Sequence, residues 1–200
     1  IASLNPTNGA VYWTVPLEPD YGMSIARPQR LGDQLFVSGI VNKNLMLKLD
    51  SESPGITEQW AGTPKTSMSV STMTPVLHDG LIFGCDENLG AVVAARIKDG
   101  ERIWSSHVPV RPGTSRSLSA GNAFITRHTP SGNYLLFGEA GHLTIATMNE
   151  DGFQSHGQMK VVDPTQSAFG RKVIWSHPAY AGKTAYIRND QELVAVDLAK

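Results

Sequence analysis

A repeat of 44 to 54 residues governs what this chain can fold into. Four stretches carry one pattern, a glycine followed by a short apolar run with an aromatic: Gly32–Val37, Gly80–Gly84, Gly132–Gly138 and Gly182–Ile187. Their aromatics, Phe36, Phe83, Phe137 and Tyr186, are spaced by 47, 54 and 49 residues. A second ladder, Trp13, Trp60 and Trp104, keeps step with the first at spacings of 47 and 44. Repeats of this length, filled with short strands, are the mark of a β-propeller with one radial sheet per repeat.

Helical periodicity is almost absent. The 19 glycines and 12 prolines cut the chain into short apolar runs, which predicts an all-β protein. The clearest unit has strands at Met68–Val76, Leu81–Cys85, Gly90–Ile97 and Glu101–His107, with turns between them. Gly90–Ile97 is nearly continuous in apolar residues, which predicts burial on both faces. The same plan gives Ser24–Gln29, Gln34–Val41, Leu45–Asp50 and Ile56–Trp60. Another copy gives Ser115–Arg127, Tyr134–Gly138, His142–Met148 and Phe153–Val162, with His156 where the tryptophan should stand. A last unit supplies Val173–Ala179, Ala185–Arg188 and Leu193–Leu198. The prediction is a single domain over 1–200, with a blade tail at 1–16 and blades at approximately 21–62, 66–109, 114–163 and 169–200.

Two arrangements fit these incomplete ends. Either the N-terminal outer strand closes a four-bladed ring, or the chain is part of a larger propeller of roughly seven or eight blades. The chain begins with Ile1, mid-repeat and without a Met, and so reads as a fragment.

Bulk composition excludes several functions. Hydrophobic residues make up 40% of the 200 and charged residues 18%, a globular balance. The formal net charge of −1 offers no electrostatic footprint for nucleic acid. The basic residues are scattered; Arg27, Arg30, Arg111 and Arg116 sit among prolines in two separate loops. No apolar run reaches the roughly 18 residues of a membrane helix, and no signal peptide is visible. Cys85 is the one cysteine, so no intrachain disulfide forms, and its apolar strand predicts a buried inert thiol. The six histidines lack zinc-ligand spacing. Asp86, Glu87, Asp190 and Glu192 read as solvated turn acids rather than calcium ligands.

The turn and tryptophan pattern resembles the PQQ-binding-like β-propeller repeat proteins. Asn5-Pro6-Thr7-Asn8-Gly9 with Trp13, and Asp99-Gly100 with Trp104, fit that repeat, and Asp50 with Gly55 and Trp60 fits with one extra residue. A narrower resemblance is to an uncharacterised, planctomycete-like bacterial subgroup. It is carried by Tyr21–Pro28, Met46–Asp50, Gly121–His128, Phe169–Ala179 and Arg188–Val194. In that subgroup the last runs form the C-terminal part of a longer chain. The resemblance implies a periplasmic or secreted location; it does not imply that the quinone is bound.

Trp13, Trp60 and Trp104 recur in register and read as structural residues that dock blade on blade. Tyr21, Arg27, Arg30, Arg127, His128, Trp175 and His177 are not explained by the repeat, and they are the candidate ligand-binding residues. Their cations suit an anionic group and their aromatics offer stacking surface, at the channel mouth where first strands meet loops. The competing reading is that these arginines and histidines pair with neighbouring turns to lock blades. No catalytic residue or metal ligand is expected. A quinoprotein dehydrogenase needs a carboxylate beside calcium, and many carry a vicinal cysteine pair or a haem motif that a lone Cys85 cannot supply. Neither PQQ nor calcium is therefore expected in this chain. The expected function is a non-enzymatic scaffold binding an unidentified protein or small ligand. The alternative is part of a quinoprotein-type oxidoreductase whose active site lies in upstream blades.

Overall fold

The computed structural model describes residues 1–199. Nineteen strands and a single 3-10 turn at Asp20–Gly22 make it all-β. A hairpin of β1 (Ala2–Leu4) and β2 (Val11–Thr14) opens the chain. Three four-stranded antiparallel blades follow. The first is β3 (Gln29–Leu31), β4 (Gln34–Gly39), β5 (Lys43–Leu49) and β6 (Ile56–Ala61). The second is β7 (Val76–His78), β8 (Leu81–Asp86), β9 (Ala91–Arg96) and β10 (Arg102–Ser106). The third is β11 (Ala123–Arg127), β12 (Tyr134–Gly138), β13 (His142–Asn149) and β14 (Gly152–Lys160). A short hairpin, β15 (Gln166–Ala168) with β16 (Arg171–Val173), precedes a three-stranded sheet of β17 (Ala179–Ala181), β18 (Thr184–Arg188) and β19 (Leu193–Asp197).

The middle strands carry the core. Every residue of β8 and β12 is buried, as are five of the six in β9, because a neighbouring blade covers each face. Phe36, Phe83 and Phe137 are among the largest fully buried side chains. The outer strands β6, β10 and β14 are largely solvated on one side.

The tryptophans clip blade to blade. Trp60 on the first blade donates its indole N–H to the Ile97 carbonyl of the second at 2.9 Å. Trp104 on the second reaches the Asn149 carbonyl of the third at 2.7 Å. Each ring also rests on the aromatic of its own blade, with centroids 6.1 Å apart for Phe36–Trp60 and 6.0 Å for Phe83–Trp104. Gly100 lets the Trp60 ring come this close: a Cβ there would meet the indole at 3.3 Å. Trp13 packs with Val37, Leu45 and Leu47 of the first blade. At His156 the clip is missing; that ring instead contacts Thr147 of its own blade.

First strands begin later than the apolar pattern predicts. Met68, Val70 and Met73 are buried but precede the strand, which starts at Val76. Three of the four first strands start directly after a proline, Pro28, Pro75 or Pro178. Proline has no N–H for a ladder and restricts the residue before it, so the upstream chain packs its side chains without pairing its backbone. The β15–β16 hairpin has no counterpart in the other blades and was not predicted by the repeat.

The two ends of the array do not pair. β1 and β2 bond only to each other, and β19 only to β18. The four-bladed ring closed by an N-terminal outer strand therefore does not form among the described residues.

Candidate functional site

The long loops entering each first strand gather on one face with the turns between second and third strands. On this face, two glutamates occupy equivalent positions in successive blades. The Glu87 amide donates to the Ser69 carbonyl at 2.9 Å, and its carbonyl accepts from Ala120 of the next blade's entry loop, also at 2.9 Å. Glu139 repeats both bonds, to the Asn122 carbonyl at 3.0 Å and from the Ile174 amide at 2.8 Å. Backbone geometry thus aims both side chains at blade junctions.

What each carboxylate meets differs. Glu87 turns back and accepts a hydrogen bond from the Val41 amide of the first blade. Burial pushes its carboxyl above the ordinary glutamate value, and the Val41 bond offsets part of that rise. Glu139 turns forward. Arg171 grips it in two bonds, Nε to Oε1 at 2.6 Å and Nη2 to Oε2 at 2.9 Å. Arg111 Nη2 lies 3.4 Å from Oε1 and donates to the Lys172 carbonyl at 2.7 Å. The Trp175 indole N–H points at Oε2 from 3.4 Å. A fully buried carboxylate needs such partners, since an unpaired one costs several kcal/mol to keep ionised.

The network anchors the β15–β16 hairpin. Its turn is Phe169-Gly170, with φ of 49° and 72°. A two-residue hairpin turn with positive φ at both centres favours asparagine, aspartate or glycine, and a phenylalanine there is strained. Phe169 is nevertheless present and 64% exposed. Its ring lies 6.3 Å from that of Trp175, itself 37% exposed, and 5.9 Å from the Arg171 guanidinium carbon. A cleft of about 540 Å³ opens beside it, walled by Arg111, Arg116, Arg171, Ser117, Ser119 and Phe169. Arg116 is exposed and forms no ion pair among the described residues. The arrangement is an aromatic pair beside three guanidinium groups, only one carboxylate among them.

The fold has a solved counterpart. BamB from Moraxella catarrhalis matches with a TM-score of 0.58 at 15% identity, over 96% of this chain and 50% of that one. The chain folds as a β-propeller. It spans about half the length of that relative. Two structures of Citrobacter koseri AztD, one of them apo, match at a TM-score of 0.49 and 16% identity, over 88% of this chain and 44% and 45% of theirs. No protein-family model matches the chain, and neither does any curated protein sequence.

The seven residues singled out from the sequence do not form one site. First strands of successive blades run the same way, so residues before them and residues after them lie on opposite faces. Tyr21, Arg27, Trp175 and His177 precede a first strand; Arg127 ends β11 and His128 follows it. Tyr21 stands 88% exposed in the 3-10 turn at φ 58°. The Arg27 amide lies 3.4 Å from Thr74 Oγ1, and Arg30 Nε donates to the Gly32 carbonyl at 2.7 Å. Arg127 lines a cleft with Tyr134, and His128 another with Tyr180. The His177 ring packs on Phe124 at 4.9 Å. No hydrogen bond joins any two of the seven among the described residues. Only Trp175 belongs to the cluster above.

Of the four acids weighed for calcium, the carboxylates of Asp86, Glu87 and Asp190 have protein partners. Asp86 is buried, pairs with Arg102 at 2.9 Å and accepts the Ser69 amide at 3.1 Å. Asp190 accepts from Thr165 and Gln166. Cys85 is buried, its thiol pushed far up by burial, and it lies 3.2 Å from the Gly121 carbonyl. Among the described residues no three His, Cys, Asp or Glu side chains converge on a metal position, and no helix is long and apolar enough to cross a membrane.

Glu139, Arg171 and Phe169 were not among the residues singled out. A signal existed: Phe169–Ala179 is the most distinctive run of the sequence, and Arg111 and Arg116 stood out as loop cations. The equivalence of Glu139 with Glu87 was hidden because one lies two residues after its blade aromatic and the other four.

Proposed function

We propose that this chain is a non-enzymatic propeller scaffold, and that it binds its partner on the loop face around the β15–β16 hairpin. One observation carries this reading. A strained left-handed position holds an exposed phenylalanine where glycine or asparagine would relax the turn. Strain of this kind persists when the surface it presents is used. The loops of a propeller face are suited to such work because the blades fix their ends.

The scaffold is half of a larger propeller, a reading supported by its coverage of half the BamB chain. Its place is the periplasm or the cell exterior, and it takes up neither PQQ nor calcium. Adding both to the purified protein should leave the melting temperature unchanged.

Photocrosslinking in the native host tests the binding face. A crosslinking residue at position 115, exposed in the β10–β11 loop, should give a discrete adduct, and one at position 183, at the turn between β17 and β18 on the opposite face, should give none. Adducts from both positions alike, or from position 183 alone, would contradict the proposal.

A further inference from the structure

The cleft beside the hairpin says what chemistry the partner brings. It is cationic, lined by three arginines with the single buried carboxylate of Glu139 to balance them. Arg171 is spent on that carboxylate in a two-bond grip. The other two are not. Arg111 gives one nitrogen, Nη2, to both Glu139 and the Lys172 carbonyl; its Nε is buried without a partner, and its Nη1 forms no hydrogen bond among the described residues. An arginine carries five N–H donors in a fixed fork, so Arg111 keeps donors in reserve. Arg116 has neither ion pair nor hydrogen bond among the described residues, and it stands exposed on the same wall.

Hydroxyls of Ser117 and Ser119 add neutral donors to that wall. The cleft's aromatic surface is the Phe169 ring, set against the Arg171 guanidinium and backed by Trp175, which lines a neighbouring cleft. Guanidinium forks match carboxylates in geometry, and an exposed aromatic pair matches an apolar side chain. The two demands meet at the walls of one cleft. A small inorganic anion would use the arginines and leave the rings idle.

We infer that the cleft between the β10–β11 loop and the β15–β16 hairpin binds an acidic peptide segment of a partner protein, one that sets a carboxylate next to an aromatic or large apolar side chain. This inference rests on the loop face being the binding face. Arg116 and Arg111 take the carboxylate, and Phe169, backed by Trp175, takes the apolar side chain. Glu139 acts through Arg171 and Arg111 as a positioning residue, fixing the guanidiniums without touching the peptide.

The test is fluorescence polarisation of a dye-labelled peptide of alternating glutamate and phenylalanine against the full chain. Saturable binding is expected. The counterpart with lysine for glutamate should not bind, and the counterpart with serine for phenylalanine should bind about tenfold more weakly or worse. Arg116→Ala and Phe169→Asn should each weaken binding by about tenfold or more while melting no lower than the original chain. Asparagine accepts the left-handed turn, so Phe169→Asn removes the ring and keeps the hairpin.

Equal binding of the lysine peptide, or full binding by both variants, overturns the inference. So does inorganic phosphate binding as tightly as the peptide, which would make this a small-anion site. If the peptides fail while position 115 still crosslinks to a partner in cells, the binding face stands and the acidic-aromatic chemistry is wrong. If both fail, the face itself is wrong.

Discussion

Single residues on the loop face show how a buried charge is handled in two ways. Glu139 sits between two guanidiniums, whereas Glu87 has an amide and little else. Burial holds the Glu87 carboxyl above the ordinary value of 4.5, so the folded chain binds this proton more tightly than the unfolded one. Stability therefore falls as pH rises from that ordinary value through the raised one. Glu87→Gln keeps an acceptor for the Val41 amide and removes the charge. The variant should melt above the original protein at neutral pH, and the gap should close on acidification below 4.5. Thermal melts across this range check it; a gap that does not change with pH would mean that Glu87 carries no such penalty. None of this was legible in the sequence, where Asp86-Glu87 looks like any solvated turn. Burial of a turn acid depends on what the next blade lays over it, and that is a long-range fact.

At the scale of strands, the sequence was more readable. The glycine–aromatic ladder placed the middle strands of the first three blades and the tryptophan ladder the outer strands of the first two, because those strands are bounded by turn residues and filled by side chains of fixed size. The inner strands were read too long. Buried coil and buried strand carry the same apolar signal, and only the prolines before Gln29, Val76 and Ala179 mark where pairing begins. The β15–β16 hairpin escaped because Phe-Gly is not a usual hairpin turn. The tryptophan clips also carry a quantitative expectation. Trp104 is only half-buried, yet it packs on Phe83 and bonds to Asn149 across the blade junction. Trp104→Ala should destabilise the chain by about 2–4 kcal/mol, somewhat below the usual range for a fully buried tryptophan. Trp104→Phe keeps a ring and loses the N–H bond, at about 1 kcal/mol. Denaturant unfolding decides it; a loss under about 1 kcal/mol for the alanine variant would show that the clip is ornamental.

Across the whole molecule, regularity and its failure divide the labour. Where tryptophan clips recur, the blades stack by repeat. Where the clip is lost at His156, the junction is made instead by the added hairpin and the Glu139 network. This irregular junction is thus also the place where an aromatic pair and spare guanidiniums reach solvent. The repeat made the propeller legible, and the same repeat made its exception hard to see, since a site built from three loops far apart in sequence has no spacing of its own. Amide hydrogen exchange across the full chain, with and without the glutamate–phenylalanine peptide, tests this assignment most directly. The account predicts added protection in residues 111–119 and 166–175, with the opposite face unchanged. Protection concentrated instead in residues 127–134 and 180–184 would contradict it.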